Sequence, residues 1–309
     1  GMISFNKNSH EIRKHSKATG LSDVQISSIA YAEENDYLIV GYENGNIDLI
    51  REGENPVNIS AIKRRIMTAE KRINKIHVNG NAAYLSCGFG IVVLNLDKAE
   101  IKETYVLGEN GAFIQVYDVA ILDNRLFAAT ENGIFKADLN SPNLLDYNYW
   151  DHLDSLPNPT ETYSAVEAFD GKLFSVYSIG DSIDKIIYFQ PESDSYLEWE
   201  KTYGEEVIDL NSIQQNLIIS GSDEALIYNT HELLINSFEF YGINQALISE
   251  EGMIFFASSY GGLFWRRDAE TNRYLLVNGP RFSEVSKIAT RGEKIWVSSG
   301  GPSRLYKHG

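Results

Sequence analysis

The sequence predicts an all-β fold: a seven-bladed β-propeller of four-stranded antiparallel blades. Three observations predict it. Apolar strands that run into Gly-rich turns recur at "DYLIVGYENG", "NAAYLSCGFG", "NRLFAATENG", "GKLFSVYSIG", "QNLIISGSDE", "GMIFFASSYG" and "EKIWVSSGGP". Measured from Leu38 through Tyr84, Leu126, Leu173, Leu217, Ile254 and Ile295, they lie about 37 to 47 residues apart, the period of a propeller blade. Finally, strand fragments at the two ends of the chain complement each other.

Each repeat has the same internal order. A first apolar strand and a tight turn precede each strand quoted above, beginning with "SSIAYAEEND" and "NKIHVNGN" and ending with "VSKIATRGE". Asn79-Gly80 and Asp170-Gly171 read as two-residue hairpin loops, in which both positions need φ > 0. The turns after the second strands are Gly-rich, and Gly45 and Gly133 in the two Glu-Asn-Gly sequences read as turn glycines. A third strand follows, as in "NIDLI", "IVVLNL" and "GIFKAD", and then a more polar fourth, as in "DSYLEWEKTY" and "NRYLLVNG". Four such strands make one blade.

Six whole units run from about Ile26 to Glu284. "MISFNK" and "EIRKHSK" match third and fourth strands, whereas "VSKIAT" and "KIWVSS" match first and second strands. Together they complete a seventh blade and remove the open edges of the ring. The tail "SRLYKHG" is surplus, either a loop or a competitor of "MISFNK" for the third-strand position. The expected organisation is one propeller domain over residues 1–309, with blades at 26–72, 73–113, 114–161, 162–206, 207–242, 243–284, and 285–309 plus 1–25.

Composition narrows the function. At 43% hydrophobic residues the 309-residue chain has ample material for a packed core. The net charge of -16 repels DNA, RNA and anionic lipid, so nucleic acid is not an expected partner. No window reaches the length of a membrane span. The opening "GMISFNKN" reads as a glycine ahead of a strand, and the chain is expected to be cut from a longer precursor whose signal peptide it lacks. The single cysteine, Cys87, excludes an intrachain disulfide and reads as a buried small hydrophobe rather than a reactive thiol.

Catalytic and metal patterns are not found. There is no nucleophile elbow, zinc-binding H-E-x-x-H, Walker loop or EF-hand run. His10 and His15 stand at a ligand-like spacing with no cysteine pair beside them, and read as a polar terminal segment. Glu198 and Glu200 share one face of an outer strand and read as solvent-facing. "DHLD", from Asp151 to Asp154, reads as a loop with local hydrogen bonds, the alternative being a His-carboxylate pair. "GFGI", Gly88 to Ile91, joins strand to strand with no helix to receive an anion, and reads as a turn. The chain is therefore expected not to be an enzyme, and to need no metal or cofactor.

Two features remain as candidate sites. "NPVNISAIKRRIMTAEKRINKI" is the only dense basic run, either a short helix or a long fourth-strand excursion. Its Lys63, Arg64, Arg65, Lys71 and Arg72 form either a solvated face or a contact for an anionic ligand or partner. Tyr42, Trp150 and Tyr260 sit at or beside turns, where their rings either anchor loops or stack on sugar or peptide.

Two stretches carry a family resemblance. "GLSDVQISSIAYAEENDYLIVGYENG", Gly20 to Gly45, resembles the two-component regulator propeller repeat of Bacteroidetes proteins. "KRINKIHVNGNAAYLSCGFGIVVLNLDKAEIKETYVLGENGA", Lys71 to Ala112, is similar to the N-terminal propeller of PorZ-like proteins of the type IX secretion system. The resemblance covers the whole chain in strand order and is sharpest over Ile26 to Phe135. It implies a parent protein with a signal peptide, two seven-bladed propellers and a C-terminal secretion-type domain. It also implies a periplasmic or outer-membrane surface location, a sortase complex as protein partner, and binding or delivery of anionic lipopolysaccharide without catalysis. The family offers no catalytic motif to carry over. The alternatives are a periplasmic carbohydrate-sensing propeller of a hybrid two-component regulator and, third, a propeller hydrolase or lyase, which would need carboxylates or histidines converging at the central channel.

Overall fold

A computed structural model describes residues 1–179, 183–191, 193, 195–199, 206–267, 273–275 and 284–299. Among these residues the strands form seven four-stranded antiparallel sheets, each running from an inner first strand to an outer fourth strand. The first strand of blade 1 is Ile26–Ala32, and those of blades 2 to 6 are Ile73–Asn79, Val116–Leu122, Tyr163–Phe169, Val207–Ile213 and Ile243–Ile248.

The chain ends share blade 7, as the strand fragments imply. Val285–Arg291 and Lys294–Ser299 supply its first two strands, Met2–Asn6 its third and Ile12–His15 its fourth. Ile3 pairs with Val297 and Phe5 with Ile295. The third-strand position is thus filled by Met2–Asn6, and the tail "SRLYKHG" lies outside the described residues.

Apolar side chains pack between blades. The second strand of blade 1, Tyr37–Tyr42, is buried at every position. Its side chains alternate, so Leu38, Val40 and Tyr42 pack toward blade 7 while Tyr37 and Ile39 pack toward blade 2. The same division gives one apolar cluster at each of the seven blade junctions. A strand buried on both faces reads as a continuous apolar run, which is why these second strands dominate the sequence signal. Cys87 belongs to the cluster between blades 1 and 2, where burial pushes its thiol well above the ordinary range.

Every first strand carries the same irregularity. After its opening buried apolar residue the register shifts by one, so the ladder resumes at Ser28, Lys75, Asp118, Ala165, Asp209, Gln245 and Lys287. A bulge of this kind re-aims the following side chain. Repeated around a ring, it sets one residue per blade at the same height on the axis.

The hairpin loops are close to the sequence reading, with one correction. Asp170 and Gly171 both have φ > 0, at 49° and 69°. In the other hairpin Asn79 pairs with Ala82, so the loop is Gly80–Asn81, one residue later than expected, and Gly80 alone has φ > 0. The strand extends by a residue because Asn79 can still pair, while the glycine takes the strained position.

Candidate functional site

The basic run forms the connection from the fourth strand of blade 1, Val57–Ile59, to the first strand of blade 2. It contains a one-turn helix, Ala61–Arg64, and then extended chain, so the strand excursion is short and the helix is a single turn. Three anchors hold it. Ile62 is buried in the cluster between blades 1 and 2. Lys63 Nζ donates to Asp23 Oδ2 at 2.7 Å, and Arg72 pairs with Glu43. Lys71 Nζ donates to the Lys63 carbonyl at 2.9 Å, closing the base of the loop. Asp23 is held at about 2, chiefly by hydrogen bonds from Asn44 and Lys63, so this anchor stays charged across the physiological range.

Gly45 explains why the loop lies where it does. A Cβ there would stand 2.5 Å from Ile62 Cγ2 and 3.0 Å from the Lys71 carbonyl, and its φ is 78°. The Glu-Asn-Gly turn therefore serves as the seat of the basic loop as well as its own hairpin. The second Glu-Asn-Gly differs in register, because Gly133 opens the third strand and only Glu131 and Asn132 form the turn. It nevertheless seats the next inter-blade connection in the same way, with the Pro159 carbonyl 1.9 Å from where a Cβ would be.

The five cations are thus not equivalent. Lys63, Lys71 and Arg72 are committed to the loop's own architecture. Arg64 and Arg65 are exposed and make no ion pair among the described residues. Ile66 follows them with 99% of its surface exposed. The tip of the loop is two free guanidinium groups beside an uncovered aliphatic side chain, which suits an anionic ligand with an apolar part.

The aromatic candidates separate as well. Tyr42 is fully buried and donates to Asp48 Oδ2 at 2.7 Å. Trp150 is 6% exposed, donates to the Leu144 carbonyl at 3.0 Å and packs on Tyr105. Neither ring is available for stacking on a ligand. Each lies near a turn in sequence, but the ring folds back into a junction between blades. Tyr260 is 67% exposed and stands against Tyr241, ring centroids 5.0 Å apart. Gly242 makes room for it, since a Cβ there would be 2.5 Å from the ring.

Asp151–His152 is a two-residue fourth strand of blade 3 rather than a loop. His152 Nδ1 lies 2.6 Å from Asp154 Oδ1, and Nε2 is 3.0 Å from the Asn132 carbonyl. Both ring nitrogens are thereby used within the turn. His15 Nε2 meets Ser4 Oγ at 2.9 Å, and no group of three metal-ligating side chains exists among the described residues. Gly88 and Phe89 form a tight strand-to-strand turn, with Cys87 paired to Gly90, so Gly90 and Ile91 already belong to the third strand of blade 2. Glu198 ends the outer strand of blade 4 and is exposed, 3.8 Å from Lys185; Glu200 lies outside the described residues.

The channel holds a charge network that sequence reading missed. Lys75 of blade 2 reaches Asp118 Oδ2 of blade 3 at 2.9 Å and, across the axis, the Leu210 carbonyl of blade 5 at 2.8 Å and Asp209 Oδ1 at 3.7 Å. Lys287 of blade 7 joins Asp209 at 3.5 Å. Gln245 accepts from the Ile288 amide, and Ser212 donates to Glu167 Oε1 at 2.9 Å. Burial opposes the Lys75 charge, but Asp118, Asp209 and Glu167 outweigh it and hold its pKa above the ordinary range. Burial pushes Asp118 up despite Lys75, whereas Lys75 and Lys287 together overcome burial at Asp209 and hold it down. Burial, reinforced by Asp118, pushes Glu167 up to about 8.

Carboxylates do therefore converge at the channel, as the hydrolase or lyase reading required. Asp118 and Asp209 are spent on lysines, and Asp118 also accepts from the Val166 amide at 3.2 Å. The geometry is that of a plug across the axis, which ties blades 2, 3, 5 and 7 together. The signal was present but spread over seven segments: one residue per blade, two positions after the opening apolar residue of each first strand. It is visible only when the blades are set in register with their bulges.

Seven sheets around a plugged axis, with a charged loop displayed between two blades, define a seven-bladed β-propeller. Residues 1–151 match the family described as the type IX secretion system PorZ N-terminal β-propeller domain. Among solved structures, PorZ of Porphyromonas gingivalis, described as an essential bacterial surface component of the type IX secretion system, is 25% identical with a TM-score of 0.73. That alignment covers 87% of this chain and 35% of PorZ, so the chain spans about a third of its relative. The extracellular domain of BT3049 from B. thetaiotaomicron, described as a hybrid two-component system, is similar in fold at 14% identity and a TM-score of 0.67, over 94% of this chain and 42% of that one. A propeller domain from Myceliophteria thermophila shares the fold at 13% identity and a TM-score of 0.67, over 90% of this chain and 97% of that one. Comparison with curated proteins gave no significant match. No helix among the described residues is long and apolar enough to cross a membrane.

Proposed function

We propose that this chain is a non-catalytic binding scaffold of the type IX secretion machinery at the cell surface, presenting the 60–72 loop to anionic lipopolysaccharide beside a sortase complex. The observation that carries the reading is the pair of free, exposed arginines, Arg64 and Arg65, next to Ile66 on a loop locked at its base. In a chain of net charge -16, two exposed arginines side by side form a local basic patch to which an anion can be drawn. Guanidinium groups hold phosphate and carboxylate in two-point fashion, and Ile66 adds an apolar contact. The likeness to PorZ, a surface component of that system, supports the setting.

Hydrogen exchange followed by mass spectrometry tests the location. Added anionic lipopolysaccharide is expected to slow exchange in residues 60–72 and to leave the first strands around the channel unchanged. Protection confined to the Tyr241–Tyr260 side would instead favour the carbohydrate-sensing alternative, which those two exposed rings serve best.

A further inference from the structure

A second site lies at the junction of blades 5 and 6, on the opposite part of the ring from the basic loop. A pocket of about 230 Å³ is lined by Ser237, Phe238, Glu239, Phe240, Phe264 and Arg266. Three of its walls are aromatic, and Phe240 packs on Phe264 with ring centroids 4.4 Å apart. Gly261 lets them close, since a Cβ there would stand 2.9 Å from Phe240.

Arg266 is the anomaly in this pocket. Its guanidinium lies over the Phe238 ring at 3.7 Å, it makes no ion pair among the described residues, and its Nε is buried without an acceptor. Burial pulls its pKa down with no opposing carboxylate. A partly desolvated cation with one face on a ring and no counter-ion has an open demand for an anion. Glu239, at the rim, does not come within ion-pair distance of it.

The pocket opens beside an unusual strand edge. Protein edges are normally blunted by short length, charge, proline or a bulge. In blade 7 the outer strand carries Arg13 and Lys14, and in blade 2 it carries Glu100, Lys102 and Glu103. Those of blades 1 and 3 are three and two residues long, and that of blade 4 is four residues ending in Glu198; the described part of that of blade 6, Arg273–Leu275, carries Arg273. The outer strand of blade 5, Leu234–Glu239, is six residues without charge or proline before its last position, with a bulge at Ile235 between the pairs of Leu234 and Asn236. Leu233, Leu234 and Ile235 are 62%, 49% and 50% exposed.

We propose that the outer strand of blade 5 is a docking edge for an extended segment of a partner polypeptide, which adds as a fifth strand and places one Asp or Glu side chain on Arg266. The pocket is below the volume range of small-molecule sites and matches a single side chain. Main-chain pairing along the edge supplies affinity, and the pocket reads one side chain in the manner of strand-addition recognition. A second copy of this chain is a poor occupant, because two chains of net charge -16 repel.

Random dodecapeptides displayed on phage, selected on the immobilised 309-residue chain, provide the test. Recovered sequences are then synthesised and titrated by fluorescence anisotropy. The expected binders alternate apolar and small polar residues around one fixed Asp or Glu. Changing that acid to its amide, or the protein by R266M or I235K, is expected to weaken binding at least tenfold, with R266K standing in should R266M not fold. Selection that yields no Arg266-dependent binder overturns the proposal. So does binding of an oligogalacturonate that depends on Arg266 but not on Ile235, or a concentration-dependent dimer abolished by I235K.

Discussion

Replacing Lys75 with methionine is expected to cost about 3 to 5 kcal/mol of stability at pH 8, the range found when one partner of a buried ion pair is removed. The methionine fills the stem's volume, so the loss is electrostatic. Asp118 and Asp209, at 1% and 3% exposure, are left without the ammonium that bridges them across the axis, and only Lys287 still reaches Asp209.

The pH dependence distinguishes this from a packing defect. In the wild type, Glu167 has a folded pKa of about 8 and Asp118 is also raised. Between the unfolded and folded values the native state holds more protons, so stability falls as pH rises through that window. Removing Lys75 raises these carboxyls further and steepens the fall. At pH 4.5 the raised Asp118 and Glu167 are protonated in the folded state, so their share of the loss is small, while Asp209, held down, keeps its charge and its share. Urea unfolding of K75M and wild type at pH 4.5 and pH 8 is therefore expected to show a smaller difference in stability at the lower pH than at the higher. A K75M variant as stable as the wild type at pH 8 would show that the plug contributes nothing.

Gly133→Ala is expected to lose about 3 kcal/mol, from two sources that can be separated. Gly133 has φ of 90°, a conformation that alone costs alanine about 1 kcal/mol. The rest is collision, with the new Cβ 1.9 Å from the Pro159 carbonyl and 2.4 Å from His152 Nε2. Relief requires moving the connection from blade 3 to blade 4, which the Gly133 amide also holds through a bond to the Glu161 carbonyl at 2.9 Å. Gly171→Ala is the control. It has φ of 69° but nothing within 4 Å of a new Cβ, so thermal unfolding should register the conformational cost alone. Equal losses in the two variants would remove the seating role assigned to Gly133.

The ring and its closure were legible in the sequence because they rest on runs buried on both faces. "LIVGY" and "AYLSC" can hardly be anything but interior strands, and "MISFN" could be matched to the strand it completes. Side-chain direction at turns was not legible. Tyr42 and Trp150 sit beside turns as Tyr260 does, yet only the position of Asp48 and of the Leu144 carbonyl determines that the first two rings turn inward. The basic run was found by its density, but which of its charges are free depends on Asp23 and Glu43, about 40 and 30 residues away in the chain, respectively. Lys75, Asp118 and Asp209 are not legible because each is a lone charge in its own strand, and Lys287 shares its strand only with Arg291 at the far end. The apolar edge at Leu234–Glu239 was missed for the opposite reason: in sequence it looks like any other strand, and only its outer position makes its lack of charge before Glu239 informative.

The proposed function places binding at the exposed tip of the 60–72 loop rather than in the channel. Calorimetric titration of anionic lipopolysaccharide into the wild type and into the R64S/R65S double variant tests it most directly. Both arginines are exposed and outside the loop's own ion pairs, so the variant should keep its unfolding midpoint while its affinity falls at least tenfold, the equivalent of about 1.4 kcal/mol. Undiminished affinity in a folded R64S/R65S protein would contradict the account.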